Sequence, residues 1–120
     1  MADHNELGKK GEELAEKFLR KEGYEILERN WRFGKDEIDI IAFDGEFLVV
    51  AEVKTRKSNY FGEPEENVSR TKQRFLVRAA NAYIEKNNIS NETRFDIISV
   101  LFSGTNYQIK QIKDAFYPLL

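Results

Sequence analysis

The chain has 120 residues, 41% hydrophobic and 33% charged, the balance of one folded domain with an ordinary core rather than a disordered tail. It contains no cysteine, which excludes disulfides, thiolate metal sites and cysteine nucleophiles and fits a reducing, cytoplasmic address. His4 is the only histidine, so histidine triads and multi-histidine metal sites lack their parts, and any acid–base or metal chemistry falls to carboxylates and lysines.

No stretch approaches the ~18 apolar residues of a membrane helix, and the first twenty residues hold no signal-peptide run. The formal net charge of −2 averages an uneven distribution. Residues 1–51 carry 8 basic and 13 acidic side chains, residues 52–78 carry 7 and 4, and residues 79–120 carry 4 and 4. Positive charge is therefore concentrated just after the middle.

Leu7, Gly11, Leu14, Ala15, Phe18 and Leu19 recur at helical spacing, and Gly23 stands where a left-handed C-terminal cap belongs, so a first helix spans about Asn5 to Glu22. Tyr24–Arg32, Asp36–Phe43 and Glu46–Thr55 are rich in aromatic and β-branched residues and read as three consecutive strands. The one breaker-rich stretch, Ser58–Pro64, is too short to separate domains, and residues 1–120 form one unit. A second helix carries Val68, Phe75, Leu76, Ala79, Ala82 and Tyr83 on one stripe, begins at Ser69 or near Pro64 and ends near Asn87-Asn88. Arg94–Phe102 and Tyr107–Lys113 complete the order αβββαββ. A right-handed crossover through the second helix sets the fourth strand parallel to the third, giving an α/β fold with a mixed central sheet flanked by two helices.

Asp44-Gly45 between two strand-like runs predicts a two-residue type I′ turn, which pairs Phe43 with Glu46, Asp39 with Val50 and Glu37 with Glu52. The period of two then places Asp39, Glu52 and Lys54 on one face, with Asp39 diagonal to Glu52. Glu52 and Lys54 interrupt an apolar run, so they need compensation. At ~6 Å and an effective dielectric constant near 20, two carboxylates repel by roughly 3 kcal/mol, which calls for a shared proton or a cation.

Glu12 lies on the helix stripe of Gly8, Ala15 and Leu19 and can reach inward past the small residues. Two or three carboxylates with a backbone carbonyl make the oxygen shell that Mg²⁺ or a similar hard cation prefers. In the second helix Arg70, Arg74 and Arg78 form a ladder away from the apolar stripe, Lys72 points toward the sheet near the helix start, and Gln73 lies at the border. With Arg56 and Lys57 beyond the third strand, these residues form a candidate phosphate-gripping rim.

Asp39, followed thirteen residues later by Glu52-Val53-Lys54, resembles the PD-(D/E)xK signature of restriction-endonuclease-like nucleases, although Ile38 replaces the proline that names it. More closely, GKKGEELAEKFL, GYEILERNWR, DEIDIIA, VVAEVKTR and FDIISV resemble the YraN-like family of small bacterial proteins, which is similar to archaeal Holliday-junction resolvases. The resemblance covers nearly the whole chain and keeps motif order. It implies Mg²⁺ or Mn²⁺ held by Asp39, Glu52, Glu12 and the Val53 carbonyl, with Lys54 positioning the attacking water and balancing the charge that develops at the scissile phosphate.

The expectation is therefore a metal-dependent DNA endonuclease acting on branched DNA. The resolvase likeness adds a homodimer, which no residue here demands. A non-catalytic nucleic-acid-binding module and a protein-interaction domain on the same fold are the alternatives. Asp96 has no partner derivable from the sequence and defaults to a structural pairing. Trp31, next to Arg32, is expected in the core rather than stacked on a base.

Overall fold

In the computed structural model, residues 2–58 and 68–116 are described. The order is α1 (Ala2–Lys21), β1 (Glu25–Phe33), β2 (Asp36–Phe43), β3 (Leu48–Lys57), α2 (Arg70–Asn87), β4 (Thr93–Ser103) and β5 (Asn106–Ile112). The five strands form one sheet in sequence order, antiparallel except for the parallel β3–β4 pair that α2 connects. The αβββαββ order and the mixed sheet stand as read from the sequence. Among the described residues no helix is long and apolar enough to cross a membrane.

Strand alternation divides the core between two faces. Val49 and Ala51 of β3 join Ala15 and Leu19 of α1, whereas Leu48 and Val50 join Phe75, Leu76 and Ala79 of α2. β3 is thus covered on both sides, as its near-continuous apolar run requires. Each fully buried Leu, Ile or Val contributes roughly 1.5–3 kcal/mol, so the two helix–sheet layers supply most of the stabilisation.

Helix ends follow from local chemistry. Gly23, at φ +95°, donates to the Arg20 carbonyl at 3.0 Å while Tyr24 donates to Leu19 at 2.9 Å, closing α1 with a left-handed turn. Ser69, rather than the region of Pro64, caps α2: its hydroxyl accepts the Lys72 N–H at 3.2 Å, and Asn88 ends the helix at φ +53°. Pro64 and its neighbours in the breaker-rich stretch, Ser58 apart, lie outside the described residues.

The β2–β3 connection differs from the expected two-residue turn. Phe43 pairs with Leu48, Ala42 with Val49, Ile41 with Val50 and Ile40 with Ala51, so four residues, Asp44 to Phe47, form the loop, and β3 starts at Leu48 instead of Glu46. The cause is the Asp44 side chain. Its Oδ1 accepts the N–H groups of Glu46 at 2.8 Å and Phe47 at 2.7 Å, and its Oδ2 accepts from Arg94 at 2.8 Å. Burial pushes the Asp44 carboxyl up, but these donors outweigh it and hold it below its usual range. A carboxylate held this way favours the wider Asx-type loop over a type I′ turn.

Asp96 finds its structural pairing. It is fully buried and accepts two parallel bonds from Arg94, both 2.9 Å, one from Gln111 at 2.9 Å and one from the Asp114 N–H at 2.9 Å. Arg94 also reaches the Tyr24 hydroxyl at 2.9 Å. One bidentate ion pair therefore joins the β2–β3 loop, the segment after α1 and the end of β5. Trp31 packs edge-on against Tyr83, with ring centroids 5.2 Å apart, inside the α2-side core.

Candidate active site

The β2–β3 ladder ends at Ile40–Ala51, although β2 begins at Asp36 and β3 runs on to Lys57. Where the strands separate, the Asp39 carboxylate takes the place of a ladder carbonyl: its Oδ2 accepts the Val53 N–H at 2.8 Å. The loop longer by two residues shifts the register so that Asp39 follows the Ile40–Ala51 pair beside Glu52 rather than diagonal to it, and the alternation of β2 slips here, with Ile38 and Ile41 in the α2-side core and Ile40 in the α1-side core. The expected pairs Asp39–Val50 and Glu37–Glu52 do not form. Glu37 instead lies 3.8 Å from Arg32, an exposed ion pair away from this opening.

Helix α1 delivers the third carboxylate, and Gly11 makes that possible. A Cβ at Gly11 would collide with Thr55 Oγ1 and come within 3.2 Å of two Thr55 carbons, so only glycine lets α1 cross β3 this closely. Gly8, which the helical stripe suggested as the gap, has nothing within 4 Å of such an atom. The next residue, Glu12, accepts from Asn30 Nδ2 at 3.0 Å and lies 3.6 Å from Arg29. Asn30 is in the left-handed region at φ +52°, between the regular β1–β2 pairs Arg29–Ile40 and Trp31–Ile38. Asn tolerates that conformation better than most residues, and adopting it turns the amide to Glu12. Sequence reading passed over Asn30; an asparagine inside a strand-like run was the available signal.

Two lysines complete the cluster. Lys72, in the first turn of α2, places Nζ 3.9 Å from Glu52 Oε1 and over the Phe75 ring, 5.4 Å from its centroid. The expectation that Lys72 points toward the sheet is met, but its partner is a carboxylate of the site. Lys54, two residues beyond Glu52 on the same strand, also draws the Glu52 charge toward ionisation.

Burial dominates the electrostatics. Asp39 is pushed up to about 7, first by burial and then by the Glu52 charge, with Glu12 adding and the Val53 N–H and Lys72 opposing. Glu52 is raised as well, by burial that outweighs Lys72 and Lys54, and by Glu12. Two neighbouring carboxyls of this kind share protons unless positive charge arrives.

The donors suit a hard divalent cation. Glu52 Oε1 is buried without a hydrogen-bond partner among the described residues, because Lys72 at 3.9 Å is beyond hydrogen-bond reach. An orphaned acceptor of this kind costs about 1–3 kcal/mol, which a cation would relieve. Asp39 spends Oδ2 on Val53, so Oδ1 is the oxygen left to a ligand. Among the described residues no three acidic or histidine side chains are grouped so as to hold a metal ion, and Glu12 is engaged by Asn30 and Arg29.

The remaining basic residues divide. Arg70, Arg74 and Arg78 are exposed along α2, and Lys57 is exposed at the end of β3. Arg56 donates to the Thr55 carbonyl at 2.9 Å. Gln73 donates its amide to the Val68 carbonyl at 2.8 Å, a bond that fastens the entry to α2.

A sequence profile described as "Uncharacterised protein family UPF0102" matches residues 11–100, a span that includes Glu12, Asp39, Glu52, Lys54 and Lys72. The chain is 50% identical over 117 residues to a UPF0102 protein of Flavobacterium psychrophilum, covering 98% of both chains. It is 49% identical over 120 residues to one of Bacteroides thetaiotaomicron, covering 100% of this chain and 99% of the relative, and 46% identical over 118 residues to one of Chlorobium chlorochromatii. With likeness running from end to end and a profile spanning both helices' contributions to the cluster, the chain belongs to the UPF0102 family.

Proposed function

We propose that this protein is a Mg²⁺- or Mn²⁺-dependent DNA endonuclease of the restriction-endonuclease-like PD-(D/E)xK superfamily, cutting phosphodiester bonds in branched DNA. The observation that carries the reading is the pair of half-buried carboxyls, Asp39 and Glu52, side by side where β2 and β3 part, with Glu52 Oε1 unsatisfied. Asp39, Glu52 and the Val53 carbonyl would hold the cation, joined by Glu12 once it turns from Asn30. A bound dication would supply charge neutralisation and Lewis-acid polarisation of the phosphodiester.

The chain's own groups account for the rest. Lys54, beyond Glu52 on β3, orients the attacking water and balances the negative charge that grows on the phosphate in the transition state. Lys72 sits at the start of α2, where its ammonium and the exposed Arg70 and Arg74 offer phosphate contacts. Arg56 and Lys57 would continue that basic track from the end of β3. The Val53 N–H fixes the Asp39 rotamer, so the acid is oriented before substrate arrives.

The test is Mn²⁺-dependent cutting of linear and four-way DNA by the purified protein, with the activity lost in Asp39→Ala and Glu52→Ala. Salt-sensitive binding without cutting would replace the enzyme by a nucleic-acid-binding module. Neither binding nor cutting would leave a protein-interaction domain.

A further inference from the structure

A second feature lies along the far side of α1. Leu7, Lys10, Leu14 and Lys17 recur at spacings of three and four and so form one stripe, offset from the Gly11, Ala15 and Leu19 stripe that packs on the sheet. That stripe borders an open groove of about 880 Å³ whose other wall is the end of β3 and the β4–β5 turn. Its floor is apolar, with Leu7, Leu14 and Phe102 half-buried and Tyr107, at 48%, the exposed large hydrophobic residue of the described chain. The Phe102 and Tyr107 rings lie 6.3 Å apart at 56°. Lys10, Lys17 and Lys57 are exposed on the rim, and none of the described lining residues is acidic, while Glu13 and Glu16 adjoin Lys10 and Lys17 on the neighbouring face of α1.

An apolar floor would suit many ligands, but three exposed lysines on the rim select an anion. The exposed Tyr107 ring offers a face to a flat apolar partner. Unpaired nucleotides combine both requirements, because every base has a face to stack and every phosphate a negative charge. The volume is in the range that holds one or two nucleotide-sized groups. Lys57 lies three residues beyond Lys54 on β3, roughly 10 Å along the strand and, by the alternation of β3, on its opposite face.

We infer that the groove between α1 and the β4–β5 turn binds a single-stranded nucleic-acid segment, with a base stacked on Tyr107 and phosphates on Lys10, Lys17 and Lys57. The inference rests on the nuclease reading for its substrate and deepens it: the DNA recognised has an unpaired or splayed strand next to the cut.

The probe is a fluorescently labelled oligo(dT), compared with a duplex of the same length, with no divalent metal present. Binding to oligo(dT) should be tighter than to duplex, weaken about tenfold in Tyr107→Ala and return in Tyr107→Phe. Removing Lys10 and Lys17 together should reduce the slope of log affinity against log salt by about 1.4, at ~0.7 per phosphate contact on a single strand. Unchanged affinity in Tyr107→Ala, an unchanged salt slope, preference for duplex or no oligo(dT) binding would each overturn the inference. Native protein that binds oligo(dT) as expected but never cuts DNA with Mn²⁺ would refute the nuclease reading and support the groove.

Discussion

Asp39→Asn should make the metal-free protein more stable at pH 8 and leave it nearly unchanged at pH 4. In the native chain the Asp39 carboxyl is pushed up to about 7 against an ordinary value of 3.8, so between those values the folded state holds more protons than the unfolded state. Stability from this group is therefore fully present below pH 3.8 and is lost as pH rises through 7. An interval of about three pH units at ~1.4 kcal/mol each sets a ceiling of about 4 kcal/mol. Relief that Glu52 already obtains by sharing protons, and weaker acceptance of the Val53 N–H by an amide, bring the expected gain to about 2–4 kcal/mol. Urea unfolding of both proteins at the two pH values measures it, with equal slopes confirming a common denatured state. Mn²⁺ at a hundred times its dissociation constant should stabilise the native protein by ~2.7 kcal/mol and the variant far less. A variant no more stable than native protein at pH 8, or stabilised equally by Mn²⁺, would refute the idea that the site stores unfavourable negative charge for a cation.

Three further outcomes follow from the packing. Gly11→Ala should cost about 1–3 kcal/mol, because its methyl meets Thr55, whereas Gly8→Ala, with open space around it, should gain about 0.5–1 kcal/mol; thermal melts of the pair separate crowding from helix propensity. Asp96→Ala should cost about 3–5 kcal/mol by leaving Arg94 half-buried beside a cavity, and a loss below 1 kcal/mol in urea unfolding would contradict the clamp assigned to that ion pair. Lys72→Met should raise the carboxyl titrations of both Asp39 and Glu52, since Lys72 opposes both shifts; unmoved midpoints in carboxyl NMR titration would remove Lys72 from the cluster.

The site's physical character is a compromise between fold and chemistry. The same opening that ends the β2–β3 ladder exposes the Val53 N–H, and Asp39 satisfies it while presenting its other oxygen. α1 is held against β3 by a glycine that contributes nothing to helix propensity, and the return is the approach of Glu12. Local rules are broken at Gly11, Asn30 and Glu52, which are the residues gathered at one place, the pattern expected where function competes with stability.

Much of this was legible without coordinates. The strand pairing brought Asp39 and Glu52 together, and their proximity survived an incorrect turn because the true loop is longer by two residues, which slides Asp39 from beside Val50 to beside Glu52. The 3.6-residue period carried Lys72 toward the sheet and left Arg70, Arg74 and Arg78 outside. These outcomes depend on one hairpin or helix at a time, and periodicity is written locally in the chain. The four-residue loop was not fully legible: the Asp44 bonds to Glu46 and Phe47 are local, but Arg94, which holds the other oxygen, lies fifty residues away. Nor was the identity of the close-approach glycine, which Thr55 decides, or the hold of Asn30 on Glu12 across 18 residues. Such contacts are pairwise and nonlocal: no segment encodes its partner, and only the packed sheet brings the two together.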